Sequence, residues 1–202
     1  MLAYHVAFQP PSAFITVGQK IEIPLGCEEI HHEIELGVII NKKCKRVDKD
    51  TAMDYVGGYC VALDMTARDF QVWLTNSLIQ QFIFNNTQNE AKAKGHPWAM
   101  AKMFDTSLPV SPFIPLDSVP DPHNVSLWCK VNGETRQEGN TRDMIFNLPT
   151  LISYISQYFT LEEGDIILTG TPSGVGPVKQ GDIITGGIPG VIEISFDVIK
   201  RS

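Results

Sequence analysis

The sequence predicts a mixed α+β domain in which strands dominate and helices number about two. Three observations predict it. Short apolar runs broken by turn residues fill positions 12 to 40, a single window near residue 150 carries helical spacing, and the last forty or so residues return to a turn-strand rhythm.

The elements follow in order. Ile21-Glu22-Ile23-Pro24-Leu25-Gly26 ends one strand, and His31 to Ile40 begins the next. There His31, Glu33 and Glu35 fall on one face and His32, Ile34 and Leu36 on the other, the two-residue period of a strand. Val38, Ile39 and Ile40 carry it to a buried end, and Asn41-Lys42-Lys43 turns it out to solvent. Gly57 to Leu63 is a second apolar strand that closes at Asp64, and Thr66-Ala67-Arg68-Asp69 reads as a helix start with Thr66 as N-cap. Val125 to Val131 is a strand, with Asn132-Gly133 a hairpin signal leading into Glu134 and Thr135. Asn147-Leu148-Pro149 reads as a cap and a helix-starting proline. Leu151, Ile152, Ile155 and Phe159 then recur at roughly helical spacing, so Pro149 to Tyr158 is expected to be an amphipathic helix. Gly164-Asp165 before Ile166-Ile167-Leu168, and Gly181-Asp182 before Ile183-Ile184, are two similar turn-strand pieces, and Val191 to Ile199 alternates.

The 202 residues, 43% hydrophobic and 19% charged, have the make-up of one soluble globular domain, 1–202. A net charge of −7 without any run of Lys or Arg argues against nucleic-acid or membrane partners. It also repels short anionic ligands, so a site for one needs local positive charge or a metal. Cys27, Cys44, Cys60 and Cys129 form no CxxC pair and match no zinc spacing, so reduced thiols in an intracellular protein are expected. The N-terminus has neither a secretory pattern nor a mitochondrial presequence, the first basic residue being Lys20. The most apolar window, Val72 to Phe84, contains Asn76, Gln80 and Gln81 and is too short and polar to span a bilayer.

Glu33 and Glu35 are the most informative pair. On a strand their Cβ atoms lie roughly 7 Å apart on one face. There they repel and pay desolvation unless a cation sits between them or the face is open to solvent. Asp64, at the end of an apolar strand, is a third carboxylate. Three carboxylates without thiol or imidazole partners suit a hard, oxygen-preferring ion such as Mg²⁺ or Mn²⁺. His31 and His32 lack a third nitrogen or sulfur ligand, so a structural hydrogen bond is the expected role of each. The Gly-rich stretch Thr169 to Gly176 lacks the Gly-Lys-Ser/Thr of a nucleotide loop. Lys102, on sequence alone, reads as a solvated surface lysine.

Several long motifs in order closely resemble the fumarylacetoacetate hydrolase family, best its small single-domain branch acting on acylpyruvates and oxaloacetate. They are His31 to Ile39, Met53 to Tyr59, Ala62 to Asp69, Pro97 to Lys102, Gly139 to Phe146 and Leu161 to Pro177. The resemblance implies a mixed β-sandwich roll with few helices, commonly a homodimer and often mitochondrial. It implies that Glu33, Glu35 and Asp64 are the metal ligands, with Mg²⁺ expected and Mn²⁺ the alternative. It places Arg68, Gln71, Lys102 and Thr171 around a small 2-oxo acid substrate. The activity implied is hydrolysis of acylpyruvates to pyruvate and a carboxylate, or decarboxylation or keto–enol tautomerisation of oxaloacetate. All three share an enolate whose charge the metal and Lys102 stabilise. Thr171 is expected to offer its hydroxyl and neighbouring N–H groups to a carboxylate.

Two departures qualify this. Members of the branch carry a His-x-x-Glu lid ahead of the first strand as the base that activates water. Here family-like sequence starts near Phe8, Gln9 stands where relatives have Lys, and His5 has no Glu three residues on. His31 is one conceivable substitute. The second departure is the block from Val72 to Gln88, which relatives lack. Its first codon, for Val, begins with GT and its last, for Gln, can be CAG, the ends of a spliced intron, so a retained intron read in frame is the hypothesis and a helical flap over the site the alternative. A non-catalytic, metal-binding remnant therefore stands beside the enzyme reading, and a metal-free scaffold is a third.

Overall fold

The structure, a computed structural model, describes residues 9–69 and 99–201. In chain order its strands are β1 (Phe14–Thr16), β2 (Ile21–Ile23), β3 (Ile30–His32), β4 (Ile34–Ile40), β5 (Val56–Leu63), β6 (Thr66–Ala67) and β7 (Leu108–Val110). They continue with β8 (Ile114–Pro115), β9 (Ser126–Val131), β10 (Glu134–Asn140), β11 (Ile166–Leu168), β12 (Gly176–Val178), β13 (Ile183–Ile188) and β14 (Ile192–Lys200). Among the described residues the α-helices are α1 (Ala99–Lys102) and α2 (Leu148–Tyr158), beside a helical start at Arg68. One sheet runs β1-β7-β5-β4-β11, with β8 also paired to β5. A second runs β10-β9-β13-β14-β2, and a small third runs β12-β3-β6. Parallel and antiparallel pairs mix, β1–β7 and β14–β2 being parallel.

The two larger sheets share one apolar core, in which Leu36, Val38, Val61 and Leu63 of the first cluster with Cys129, Val131, Ile184 and Phe196 of the second. Gly186 permits the close approach, since a Cβ there would stand 2.6 Å from Ile34 Cδ1. This is the strand-rich sandwich that was expected. The limits of β5, β9, β11 and β14 agree with the expected ones within a residue, as hydrogen-bond assignment allows. The β9–β10 hairpin turns on Asn132 and Gly133 with φ of 52° and 80°, the left-handed pair of a type I′ turn. Helix α2 is capped by the Asn147 side chain, which accepts from the Thr150 N–H at 3.0 Å, and buries Leu148 and Ile152.

The Gly-Asp turns use one device twice. Gly164 and Gly181 both have φ of 90°. The following aspartates accept the N–H three residues back, Asp165 from Glu162 at 2.8 Å and Asp182 from Lys179 at 2.9 Å. Each turn also exchanges backbone hydrogen bonds with a neighbouring strand end, Gly164 and Asp165 with Ile40, Gly181 and Asp182 with Val198.

Two expectations need correction. His31 to Ile40 is not one strand: β3 pairs with β6 and β12, whereas β4 belongs to the six-stranded sheet, and Glu33 stands at the crossing. The Asp64 N–H takes the Glu33 carbonyl at 2.8 Å, tying the crossing to the end of β5. Thr66 is not an N-cap. It lies in β6 opposite His31, and its hydroxyl donates to the Asp64 carbonyl, so helical backbone begins only at Arg68. All four cysteines are free and buried. No helix among the described residues is long and apolar enough to cross a membrane.

Candidate active site

The crossing at Glu33 and the end of β5 bring three carboxylates together. One oxygen each of Glu33, Glu35 and Asp64 lies within 4.8 Å of the others. Lys102, at the end of α1, enters this group as well. Its Nζ is 2.7 Å from Glu33 Oε2 and 2.5 Å from Asp64 Oδ2, and the residue is only 7% exposed. The solvated-lysine reading is thereby overturned. The guanidinium of Arg68, just past β6, donates to Glu33 Oε1 at 3.0 Å. Gln9 completes the near side, its amide N–H donating to Asp64 Oδ1 at 2.9 Å while its Oε1 is buried without a partner.

Burial sets the electrostatics. Desolvation first, then the neighbouring Asp64 charge, pushes Glu35 up to about 8, against the pull of the Gly170 N–H and Lys102. Burial also raises Asp64, although Lys102 opposes it. For Lys102, desolvation alone would lower the pKa, but Asp64 and Glu33 outweigh it and hold the ammonium protonated. Glu35, 5% exposed, has no cationic side chain within ion-pair distance among the described residues. Three oxygen donors, Glu35 buried and Glu33 and Asp64 partly so, fit a hard divalent cation.

The turn after β11 closes the other side. The Thr169 hydroxyl donates to the Leu36 carbonyl at 2.9 Å, the Gly170 N–H to Glu35 Oε2 at 2.6 Å, and the Thr171 hydroxyl to the Ile34 carbonyl at 2.8 Å. Thr171 therefore reaches the carboxylate segment, but its hydroxyl proton is already committed to the backbone. Gln71 lies outside the described residues, as do His5 and the 72–88 block. His31 pairs with Glu29 and His32 Nδ1 with Gln137 Oε1 at 2.9 Å, so both histidines make the structural bonds expected of them. His32 is fully buried, which lowers its pKa, and its Nε2 has no partner. A cavity of about 450 Å³ opens on the Thr169–Ser173 side of the turn, walled also by Leu127, Met144 and Ile145. It includes none of the three carboxylates.

Sequence reasoning missed Gln137. Its strand, Glu134-Thr135-Arg136-Gln137-Glu138-Gly139-Asn140, is polar throughout and offers no alternation to mark an inward position. A register shift between Thr135 and Gln137 turns this side chain inward, where it is fully buried.

Residues 2–199 match the family model described as fumarylacetoacetate (FAA) hydrolase C-terminal. The chain belongs to the fumarylacetoacetate hydrolase family. Among members, the Homo sapiens protein named oxaloacetate tautomerase FAHD1, mitochondrial, is 50% identical over 192 residues, covering 95% of this chain and 79% of its own length. The oxaloacetate decarboxylase, mitochondrial, of Dictyostelium discoideum is 50% identical over 195 residues, covering 96% and 82%. In structure, the fumarylacetoacetate hydrolase fold seen here is similar to maleylpyruvate hydrolase from Sphingobium sp. SYK-6 in complex with manganese (II) ion and pyruvate. The TM-score is 0.77 at 35% identity, over 96% of this chain and 64% of that one.

Proposed function

We propose that this chain is an enzyme of small 2-oxo acids that tautomerises or decarboxylates oxaloacetate and hydrolyses acylpyruvates to pyruvate and a carboxylate. The observation that carries this is the convergence of Glu33, Glu35 and Asp64 with Lys102 and Arg68, in a chain half identical to proteins named for oxaloacetate. In this reading Glu33, Glu35 and Asp64 hold Mg²⁺, with Mn²⁺ as the alternative. When bound, such an ion supplies positive charge that attracts the oxygens of a 2-oxo acid and stabilises negative charge developing on the keto oxygen.

The chain's own groups do the rest. Lys102 Nζ holds a proton in a dry site and donates toward the same oxygen, its position fixed in advance by Glu33 and Asp64. Arg68, oriented by Glu33, presents a planar fork suited to a carboxylate, and Gln71 stands with it by family likeness. Because the Thr171 hydroxyl serves the Ile34 carbonyl, the turn offers a carboxylate its backbone N–H instead. The protein works as a homodimer in mitochondria, as the names of its relatives support for the compartment.

Loss of the enol absorbance of oxaloacetate, followed with Mg²⁺, with EDTA and for Glu33→Ala, tests the proposal. Acetylpyruvate cleavage is assayed in parallel. Mg²⁺-dependent acceleration that disappears with EDTA and in the variant is expected. Oxaloacetate should be the faster substrate, because only hydrolysis needs an activated water. Rates no higher than the uncatalysed ones, in folded protein supplied with Mg²⁺, would leave a metal-binding remnant and refute the enzyme.

A further inference from the structure

We infer that Gln137 is a positioning residue that sets the distance between the carboxylates and the Thr171 turn, and so governs how tightly a 2-oxo acid is held. The inference rests on the functional reading above. A primary amide has two acceptor sites and two donors, and here all four are used. The Gln137 carbonyl accepts from the Ile34 N–H at 3.1 Å and from His32 Nδ1 at 2.9 Å. Its NH₂ donates to the Thr171 hydroxyl oxygen and to the Pro172 carbonyl, both at 2.8 Å. Thr171 in turn donates to the Ile34 carbonyl, which closes a ring through Gln137, Ile34 and Thr171.

The ring's place gives it a function. Ile34 lies between Glu33 and Glu35, so its backbone carries the position of both carboxylates. Thr171 is the far wall of the site. The two segments also meet directly, through Thr169, Gly170 and Thr171 on Leu36, Glu35 and Ile34, and Gln137 braces that contact from a third strand. The β-bulge that aims Gln137 is itself fitted to the turn. Gly174, with φ of 98°, lies so close to the Arg136 carbonyl that a Cβ would overlap it, and a Cβ on Gly139 would stand 2.5 Å from Pro172 Cβ. Two glycines thus let β10 and the turn meet where the amide can bridge them.

Gln137→Met removes all four bonds at nearly constant volume. Thr171→Val breaks the ring from its other side, and Thr171→Ser retains it. The readouts are Mn²⁺ affinity by the spectrum of the free ion, pyruvate affinity of the Mn²⁺-loaded protein by water-proton relaxation, and amide exchange of residues 169–171. Gln137→Met and Thr171→Val should weaken pyruvate about tenfold or more. Mn²⁺ affinity should fall by a smaller factor than pyruvate affinity, since all three carboxylate ligands remain. Exchange in the turn should accelerate about tenfold over that of β14, and Thr171→Ser, which keeps the hydroxyl, should lose less pyruvate affinity than Thr171→Val. An unchanged pyruvate Kd in either folded, ring-broken variant overturns the inference, as does unchanged exchange in the turn. If the parent bound Mn²⁺ but no pyruvate, the functional reading would fall. Faster exchange in Gln137→Met would then reduce Gln137 to a clamp of the fold and overturn its role toward substrate.

Discussion

Replacing Lys102 by Met separates a structural lysine from a counter-ion. The ammonium is 2.5 Å and 2.7 Å from two carboxylates whose side chains are 15% and 13% exposed, so solvent screens the contact little. Removing one partner of a buried ion pair leaves uncompensated charge and typically costs about 3–5 kcal/mol. Met fills most of the lysine volume, so little of that cost is a cavity. For a domain of this size each kcal/mol moves Tm by about 2–4 °C, which predicts a loss of at least about 6 °C in EDTA. Asp64 and Glu35, both held above the usual carboxylate range by burial, relieve repulsion by taking up protons, so the loss should be smaller at pH 5 than at pH 8. Saturating Mg²⁺ supplies the missing charge and should recover at least half of the loss, although turnover stays low. Thermal scans in EDTA and in Mg²⁺ at the two pH values make the test. An equal Tm loss in all four conditions would mean that Lys102 merely packs, and would refute the reasoning.

Glu35 gives a pH prediction. Its folded pKa is raised to about 8, so its protonated form favours the fold. The contribution is complete below the unfolded value near 4.5 and is lost as pH rises through about 8. Metal-free protein should lose stability over that window, whereas Mg²⁺ affinity should rise and binding should release protons, as calorimetry in buffers of different ionisation enthalpy would reveal. Gly174→Ala should destabilise by about 2–3 kcal/mol in urea titration, because it combines a positive φ with overlap on the Arg136 carbonyl. Ser156→Ala should cost about 1–3 kcal/mol, because it strands the buried Val47 N–H that its hydroxyl now accepts at 2.9 Å. If the 72–88 block is a retained intron, most transcripts across its codons should lack it. A dominant message that keeps it would favour a true insertion.

The carboxylate cluster was legible because an acidic residue on an apolar strand conflicts with burial, and Glu33, Glu35 and Asp64 each present that conflict. The break at Glu33 was not legible, since the residue alternation from His31 to Leu36 runs unbroken across it and the change of sheet lies in the pairing partners of β3 and β4. Thr66 misled because a threonine before Ala-Arg-Asp caps a helix in most settings, whereas here the β3 edge claimed it first. Lys102 carries no local sign of burial. Its environment comes from residues 38 and 69 positions away, and family likeness alone had marked it. Gln137 escaped because the bulge that aims it inward leaves no trace in a uniformly polar strand.

The pairing of β11 with β4 does not stop where the strand does. Ile166, Ile167 and Leu168 lie opposite Ile39, Val38 and Gly37, and Thr169, Gly170 and Thr171 then bond to Leu36, Glu35 and Ile34 one for one. The count starts at the Gly164-Asp165 turn, which is fastened to Ile40. The site is thus measured off along about 20 Å of strand from a fixed mark. Spacing here matters more than identity. Between Asp165 and Thr171 the gene should accept many codon changes and almost no codon gained or lost, because a single step would bring Thr171 opposite the wrong residue and leave the Glu35 oxygen without its Gly170 N–H.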